Sequence, residues 1–386
     1  MPERINSVKT SFFGKGAIRL LIPELKKLGI RRALVVTDRF LYESGAAARV
    51  GEVLSEAGVE YAVYYQVTPN PTVSIVEECI RAAKGLSVEL LVALGGGSAI
   101  DTAKAVSIVV ANGGSVESYE GIDRSLRPGI PIVAVNTTAG TGSECTSFYI
   151  VTDPVRHSKM TMVDTNCMVS IAVNDIDFMM SMPPKLTAAT GMDAMTHGVE
   201  AVLSKNATPL TDKDALWAIE TIAKYLPRAV ADGSDEEARE QMAYAEYTAG
   251  MAFSNAGLGM VHAMAHALGG RYNLPHGVCN AVLLPYVLIY NGSSGIAKKG
   301  FEKIACALGL ESKDVASVVA ALSSLSAGVG IAQTLKELKG VNPEDFSALA
   351  DLALHDSCMA TNPVQPEKKD VIMVYQMAYN GLEKGI

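Results

Sequence analysis

Five residues in the second half of the chain are placed to meet on one ion. Asp193 and His197 stand four apart in TGMDAMTHGVEA (190–201), and His262 and His266 repeat the spacing in MVHAMAHALGG (260–270). Residues i and i+4 lie one turn apart on the same helix face, so a carboxylate and an imidazole can converge from it. His276 follows in LPHG (274–277), past a Gly269-Gly270 pair that reads as a helix stop, so it is expected on a loop. The chain holds six histidines, and three of them crowd into positions 262 to 276. Imidazole is both the commonest metal ligand and the commonest general base, and spacing alone does not divide those roles among the five residues.

The pattern excludes some chemistry. It is not H-E-x-x-H, which disfavours a zinc protease, and it contains no sulfur, unlike a structural zinc finger. Mixed imidazole and carboxylate ligation suits Fe(II), Zn(II), Mn(II) or Co(II). A lone histidine on an Ala-rich helix is usually a packed core residue, and an Asp near a helix start is usually a cap. Two i,i+4 pairs followed by a third histidine are harder to assign that way. His157 and His355, isolated in other segments, read as ordinary residues.

A second group of residues suits a nucleotide. LLVALGGGSAIDTAKA (90–105) passes from an apolar run through Gly95, Gly96, Gly97 and Ser98 into a helical pattern. Glycines admit close approach to a ligand, and the helix start offers N–H groups to an anion. NTTAGTGSE (136–144) is another strand exit rich in hydroxyls, including Thr137, Thr138 and Ser143. Asp38 ends an earlier strand, where a carboxylate can accept from ribose hydroxyls and repel a 2′-phosphate. In the usual dinucleotide unit the acidic residue follows the glycine loop. Here it precedes Gly95 by 57 residues, so the unit is not the standard one.

The elements that must carry these groups fall into two halves. Apolar, β-branched runs at 31–38, 60–67, 89–98 and 130–138 alternate with helical stretches such as 44–57 and 72–84, which predicts a parallel, doubly wound sheet. Beyond about residue 180, helical periodicity rich in Ala, Met and Leu takes over, and Pro183-Pro184 marks the change. We therefore expect an α/β dinucleotide-binding domain over 1–181 and an all-α metal-binding, catalytic domain over 182–386. A net charge of −8 over 386 residues argues against a phosphate-backbone binder and gives no support for an anionic membrane partner. Six scattered cysteines without a C-x-x-C pair, a polar N-terminus and no long apolar run predict a cytoplasmic protein with reduced thiols.

Four of these motifs, in order, resemble the iron-containing (group III) alcohol dehydrogenases: GGGSAIDTAKA, NTTAGTGSE, LTAATGMDAMTHGVEA and LGMVHAMAHALGG with LPHGVCNAVLLP. The likeness runs from FFGKGA at 12 to CMATNP at 358. It implies the dehydroquinate synthase-like fold of that family, and NAD-dependent interconversion of a small primary alcohol or diol and its aldehyde by hydride transfer. It further implies Fe(II), with Zn(II) or another divalent ion as substitute, held by Asp193, His197, His262 and His276, and a proton-handling role for His266. The positions matching the family's cofactor residues are Asp38, Asn70, Gly95, Gly96, Gly97, Ser98, Asp101, Thr137, Thr138, Thr141 and Lys159. Phe253, Leu258 and Cys358 match its substrate-pocket wall. Relatives assemble, so a homodimer or larger homo-oligomer is expected, with no nucleic-acid or membrane partner. The chain departs from the family pattern at Ile176, Ala267 and Tyr286, and the last two weaken any transfer of substrate preference. A zinc-dependent polyol dehydrogenase, a non-redox enzyme of the dehydroquinate synthase type, and a metal- and nucleotide-binding protein without turnover are the alternatives.

Overall fold

The computed structural model describes residues 4–156 and 158–381, so His157 lies outside the described residues. The chain divides into two compact units. The first comprises residues 1–138 and 142–181, and the second comprises 139–141 and 182–386.

In the first unit, β1 (Thr10–Phe13), β2 (Arg32–Asp38), β3 (Glu60–Val67), β4 (Leu90–Gly95), β6 (Ile132–Asn136) and β9 (Ile171–Asn174) form one sheet. Its order is β1-β9-β6-β4-β2-β3 and every pair is parallel. The four apolar runs read from sequence are β2, β3, β4 and β6. Every residue of β4 and β6 is buried, because both sheet faces are covered, and this is why those strands lack polar alternation. Val35, Val92, Val133 and Val173 contribute to one core from four neighbouring strands. The helices of this unit are α1 (Leu21–Leu28), α2 (Arg39–Glu43), α3 (Ala46–Glu56), α4 (Val73–Leu86) and α5 (Gly97–Asn112).

The sheet is not the whole β content. Beside the expected parallel sheet, β5 (Gly121–Ile122), β7 (Phe148–Asp153) and β8 (Ser158–Val163) form a second sheet in which β7 and β8 are antiparallel. Sequence periodicity does not show this hairpin: β7 alternates strictly between half-buried and buried positions, but Phe148 to Val151 are all apolar, and β8 buries three residues in a row, Met160 to Met162.

The second unit is helical: α6 (Pro184–Leu203), α7 (Pro209–Ala231), α8 (Glu236–Ala256), α9 (Met260–Tyr272), α10 (His276–Gly292), α11 (Lys298–Ala307), α12 (Val315–Gly328), α13 (Phe346–His355) and α14 (Lys368–Asn380). Pro184 is the first helical residue of α6, where its missing N–H and fixed φ cost nothing. α6 packs against α7, α8 and α10 and is buried almost all round from Thr187 to Leu203. Two boundaries differ from expectation. α9 continues through Gly269-Gly270 and stops at Asn273, which takes the left-handed conformation (φ 51°). The packing of α9 on α10 and α13 outweighs a glycine penalty of about 1 kcal/mol per residue. His276 is therefore not on a loop; it opens α10, directly after Pro275.

Among the described residues, no helix is long and apolar enough to cross a membrane.

Candidate metal centre and nucleotide loops

The carboxyl edge of the main sheet gathers the expected nucleotide residues of the first unit. β2 and β4 are neighbours, but the chain leaves β2 toward β3 on one side and β4 toward β6 on the other. Such a divergence is the usual place for a ligand in an open α/β sheet. Val36 pairs with Ala93 and Gly95 with Asn136, so Asp38, Gly95 and Thr137 leave adjacent strands at the same edge. The 57-residue separation of Asp38 from Gly95 is thus closed by strand pairing. Asn70, in the left-handed region (φ 54°), lies three residues beyond β3 at that edge. Gly95 itself has φ 150°, and a Cβ there would sit 2.7 Å from the Ala99 Cβ, so no larger residue fits the turn. Gly96 caps α5, Gly97 begins it, and Ser98 follows in its first turn.

Several of these residues have structural tasks as well. Asp38 accepts from the Leu41 amide at 2.9 Å and caps α2. The Thr138 amide donates to Asn136 Oδ1 at 3.1 Å. Asp101 is enclosed: one oxygen accepts from Ser143 Oγ at 2.6 Å and the other from the Ile150 amide at 3.0 Å. Burial pushes its carboxyl up, against the neighbouring Lys104 ammonium. Both oxygens brace β7 and the turn before it. Lys159 lies on β8, and Thr141 belongs to the second unit rather than with Thr137 and Thr138.

In the second unit four of the five metal candidates come together. Asp193 Oδ1 lies 4.0 Å from His197 Nε2, 3.8 Å from His262 Nε2 and 3.7 Å from His276 Nε2. Around an ion with bonds of roughly 2.1 Å, tetrahedral donor atoms stand about 3.4 Å apart. Ligating atoms of Asp193, His262 and His276 all lie within 4.8 Å of one another, a group that does not include His197, whose Nε2 is the farthest of the three from Asp193. The donors also carry more lone pairs than the protein can satisfy. Asn280 Nδ2 is 2.6 Å from Asp193 Oδ1, 2.9 Å from His262 Nε2 and 3.2 Å from His276 Nε2, but its two N–H bonds cannot serve three acceptors. Asn280 Oδ1 is buried without a partner. An electron-rich focus short of positive charge fits a divalent cation.

The rings are oriented from behind. His197 Nδ1 donates to the Gly140 carbonyl at 3.2 Å, and His262 Nδ1 donates to Glu200 Oε2 at 2.6 Å. Each bond leaves Nε2 with its lone pair toward Asp193. Burial holds both imidazoles well below the usual histidine range, hence neutral and able to ligate at neutral pH. His197 also stacks on Phe253, with centroids 4.3 Å apart, and on His262 at 4.6 Å.

His266 is placed differently. Its Nδ1 lies 2.8 Å from Asp356 Oδ2, and its ring stacks on His276 at 5.1 Å. Ligating atoms of His266, Asp356 and Cys358 all fall within 4.8 Å of one another, so Cys358 also borders this histidine. Burial pushes the Cys358 thiol far up, which keeps it neutral. Leu258 is buried, and its carbonyl accepts from Thr361. His355 is exposed, and its Nδ1 lies 2.7 Å from the Asp351 carbonyl oxygen. Tyr286, one of the departures, donates to the Gln333 carbonyl at 2.8 Å.

Three residues escaped the sequence reading. Glu200 had a signal: with Asp193 and His197 it continues a four-then-three spacing on one face of α6. Asn280 had a weaker one, four residues after His276 on α10. Asp356, 90 residues from His266, had none. For Asp356, burial raises the carboxyl, but His266 beside it and the Cys358 amide bring it down to about 2. A carboxyl depressed in the folded state adds stability that is complete above the unfolded value near 4 and is lost as pH falls through about 2. Asp356→Asn should therefore lower stability by about 2 kcal/mol at pH 7. Urea melts of both proteins from pH 7 to pH 2 should converge at the acid end; parallel curves would refute the assignment.

Residues 9–176 match the iron-containing alcohol dehydrogenase model, and 187–379 match that of the Fe-containing alcohol dehydrogenase family, C-terminal. Alcohol dehydrogenase 4 of Saccharomyces cerevisiae (strain YJM789) is 45% identical over 369 residues, 96% of each chain. The NAD-dependent methanol dehydrogenase of Bacillus methanolicus is 41% identical over 375 residues, 95% of this chain and 97% of that one. The solved alcohol dehydrogenase from Oenococcus oeni superposes with a TM-score of 0.94 at 39% identity, covering 98% of this chain and 100% of the other. The chain belongs to the iron-containing alcohol dehydrogenase family and is an oxidoreductase of that family's fold.

Proposed function

We propose that this protein interconverts a small primary alcohol or diol and its aldehyde with NAD(H), using a divalent ion, Fe(II) in preference to Zn(II), held by Asp193, His197, His262 and His276. The observation that carries the reading is the convergence of three imidazole Nε2 atoms on Asp193 Oδ1 at 3.7 to 4.0 Å. A bound divalent ion supplies Lewis acidity toward an alcohol or carbonyl oxygen, and the nicotinamide accepts or delivers the hydride.

The chain's own groups do the rest. His266 keeps its Nδ1–H on Asp356, which leaves Nε2 to take a proton from the alcohol side or return it to the aldehyde side. Asp356 fixes the ring and stabilises it when charged, as the buried carboxylate of a hydrolase triad does for its histidine. Phe253 and Leu258 supply apolar wall, and the neutral Cys358 thiol adds a small, uncharged surface. In the first unit, the amides at the start of α5 suit a pyrophosphate, and Asp38 favours a ribose 2′-hydroxyl over a 2′-phosphate, hence NAD over NADP. The NAD-dependent relative supports that preference. A cytoplasmic location and a homo-oligomeric state complete the reading; six free cysteines suit the former.

The test is an anaerobic NADH-oxidation assay with propionaldehyde on Fe(II)-loaded, Zn(II)-loaded and chelated protein. Iron-dependent NADH loss is expected, with the chelated protein inactive. Folded, metal-bound protein that consumes no NADH with propionaldehyde or other small aldehydes would refute the reading.

A further inference from the structure

Glu200 is buried on α6, yet its carboxylate is spent on a different helix. Oε1 accepts from the Val261 amide at 2.8 Å. Oε2 accepts from the Gly259 amide at 3.0 Å, the His262 amide at 3.4 Å and the His262 ring Nδ1 at 2.6 Å. The first turn of a helix leaves N–H groups with no partner inside the helix, and α9 has no side-chain cap of its own. Glu200 serves them from outside, while Asn362 Oδ1 takes the remaining Met260 amide at 3.0 Å. The approach depends on Gly259, where a Cβ would stand 2.8 Å from Glu200 Oε1 and from Asn362 Oδ1. Glu200 alone of the two capping residues also reaches the ring of His262.

That ring has one correct tautomer for ligation. With the proton on Nδ1, Nε2 offers a lone pair; with the proton on Nε2, it cannot ligate. The opposite side of the ring gives independent support, since the donor Asn280 Nδ2 lies 2.9 Å from Nε2. A donor there requires a bare nitrogen.

We propose that Glu200 is a positioning residue of the metal centre: by accepting the Nδ1 proton of His262 while capping α9, it fixes the tautomer and direction of that ring, and so sets the affinity of the site. The proposal rests on His262 being a metal ligand. Outer partners of ligating histidines typically account for about 10–100-fold in metal affinity.

The experiment measures Co(II) affinity by chelator competition, with the visible Co(II) bands, in wild type, Glu200→Gln and His262→Ala, alongside ¹⁵N-histidine spectra of the metal-free wild type. The glutamine keeps the shape but is neutral and places an amide donor against the amides of α9. Glu200→Gln should bind about 10–100-fold more weakly, with shifted bands and a cooperative melt. In the wild type, the His262 signal, identified by its loss in His262→Ala, should show a protonated Nδ1 and a bare Nε2. Wild-type affinity and bands in Glu200→Gln would overturn the proposal, as would a His262 ring protonated on Nε2. If Glu200→Gln does not fold, the tautomer decides. If His262→Ala binds Co(II) as tightly as wild type, the ligand set itself is wrong and the proposal falls with it, a result distinct from normal binding in Glu200→Gln alone.

Discussion

Replacing Asp193 with Ala should abolish metal retention and lower turnover by at least about 10³-fold, equivalent to some 4 kcal/mol of barrier. Its Oδ1 is the point on which the three Nε2 atoms converge, and burial keeps the imidazoles of His197 and His262 neutral. Removing it leaves no anionic ligand among the proposed four and leaves Asn280 Nδ2 without its shortest partner. Asp193 lies in the middle of α6 and caps no helix, so the fold should persist. Metal content after gel filtration, turnover and a thermal melt check the three parts separately. A variant that keeps one metal per chain would show that Asp193 is not a ligand.

His266→Ala should separate from that outcome. We expect kcat to fall by about 10²–10⁴-fold while metal content stays at the wild-type level. The reason is geometric: His266 directs Nδ1 to Asp356, whereas His197 and His262 direct Nδ1 to Gly140 and Glu200 and turn Nε2 to Asp193. Added imidazole should restore part of the lost rate, because the truncated side chain leaves room for a free base beside Asp356 and Cys358. Metal loss equal to that of Asp193→Ala would make His266 a ligand instead.

These assignments show what could be read before the fold was known. The pairs Asp193–His197 and His262–His266 were legible because i,i+4 spacing fixes two side chains on one face regardless of tertiary context. The division of labour between them was not. It depends on what stands behind each ring, and Asp356 arrives from a segment 90 residues away. The strands β2, β3, β4 and β6 were legible as apolar runs between helices. β1 and β9, four residues each, were too short to give a period, and the β7–β8 hairpin was hidden because Phe148 to Val151 are all apolar although their burial alternates, and β8 buries three successive residues. The end of α9 was misjudged because Gly269-Gly270 resembles a C-cap, whereas Gly269 is buried inside a helix that packing carries on to Tyr272. That same extension places His276 at the first position of α10 rather than on a loop. In the first unit, the sheet order explains how Asp38 can precede the glycine loop and still leave the same edge.

X-ray absorption at the metal edge of the Fe(II)-loaded protein reads the identity of the donor atoms. The described residues offer two clusters, Asp193 with His262 and His276, and His266 with Asp356 and Cys358. A nitrogen and oxygen shell at roughly 2.1 Å is expected, with three imidazole rings and no sulfur. A sulfur scatterer at about 2.3 Å, or fewer than three imidazoles, would place the ion elsewhere and contradict the proposed ligand set.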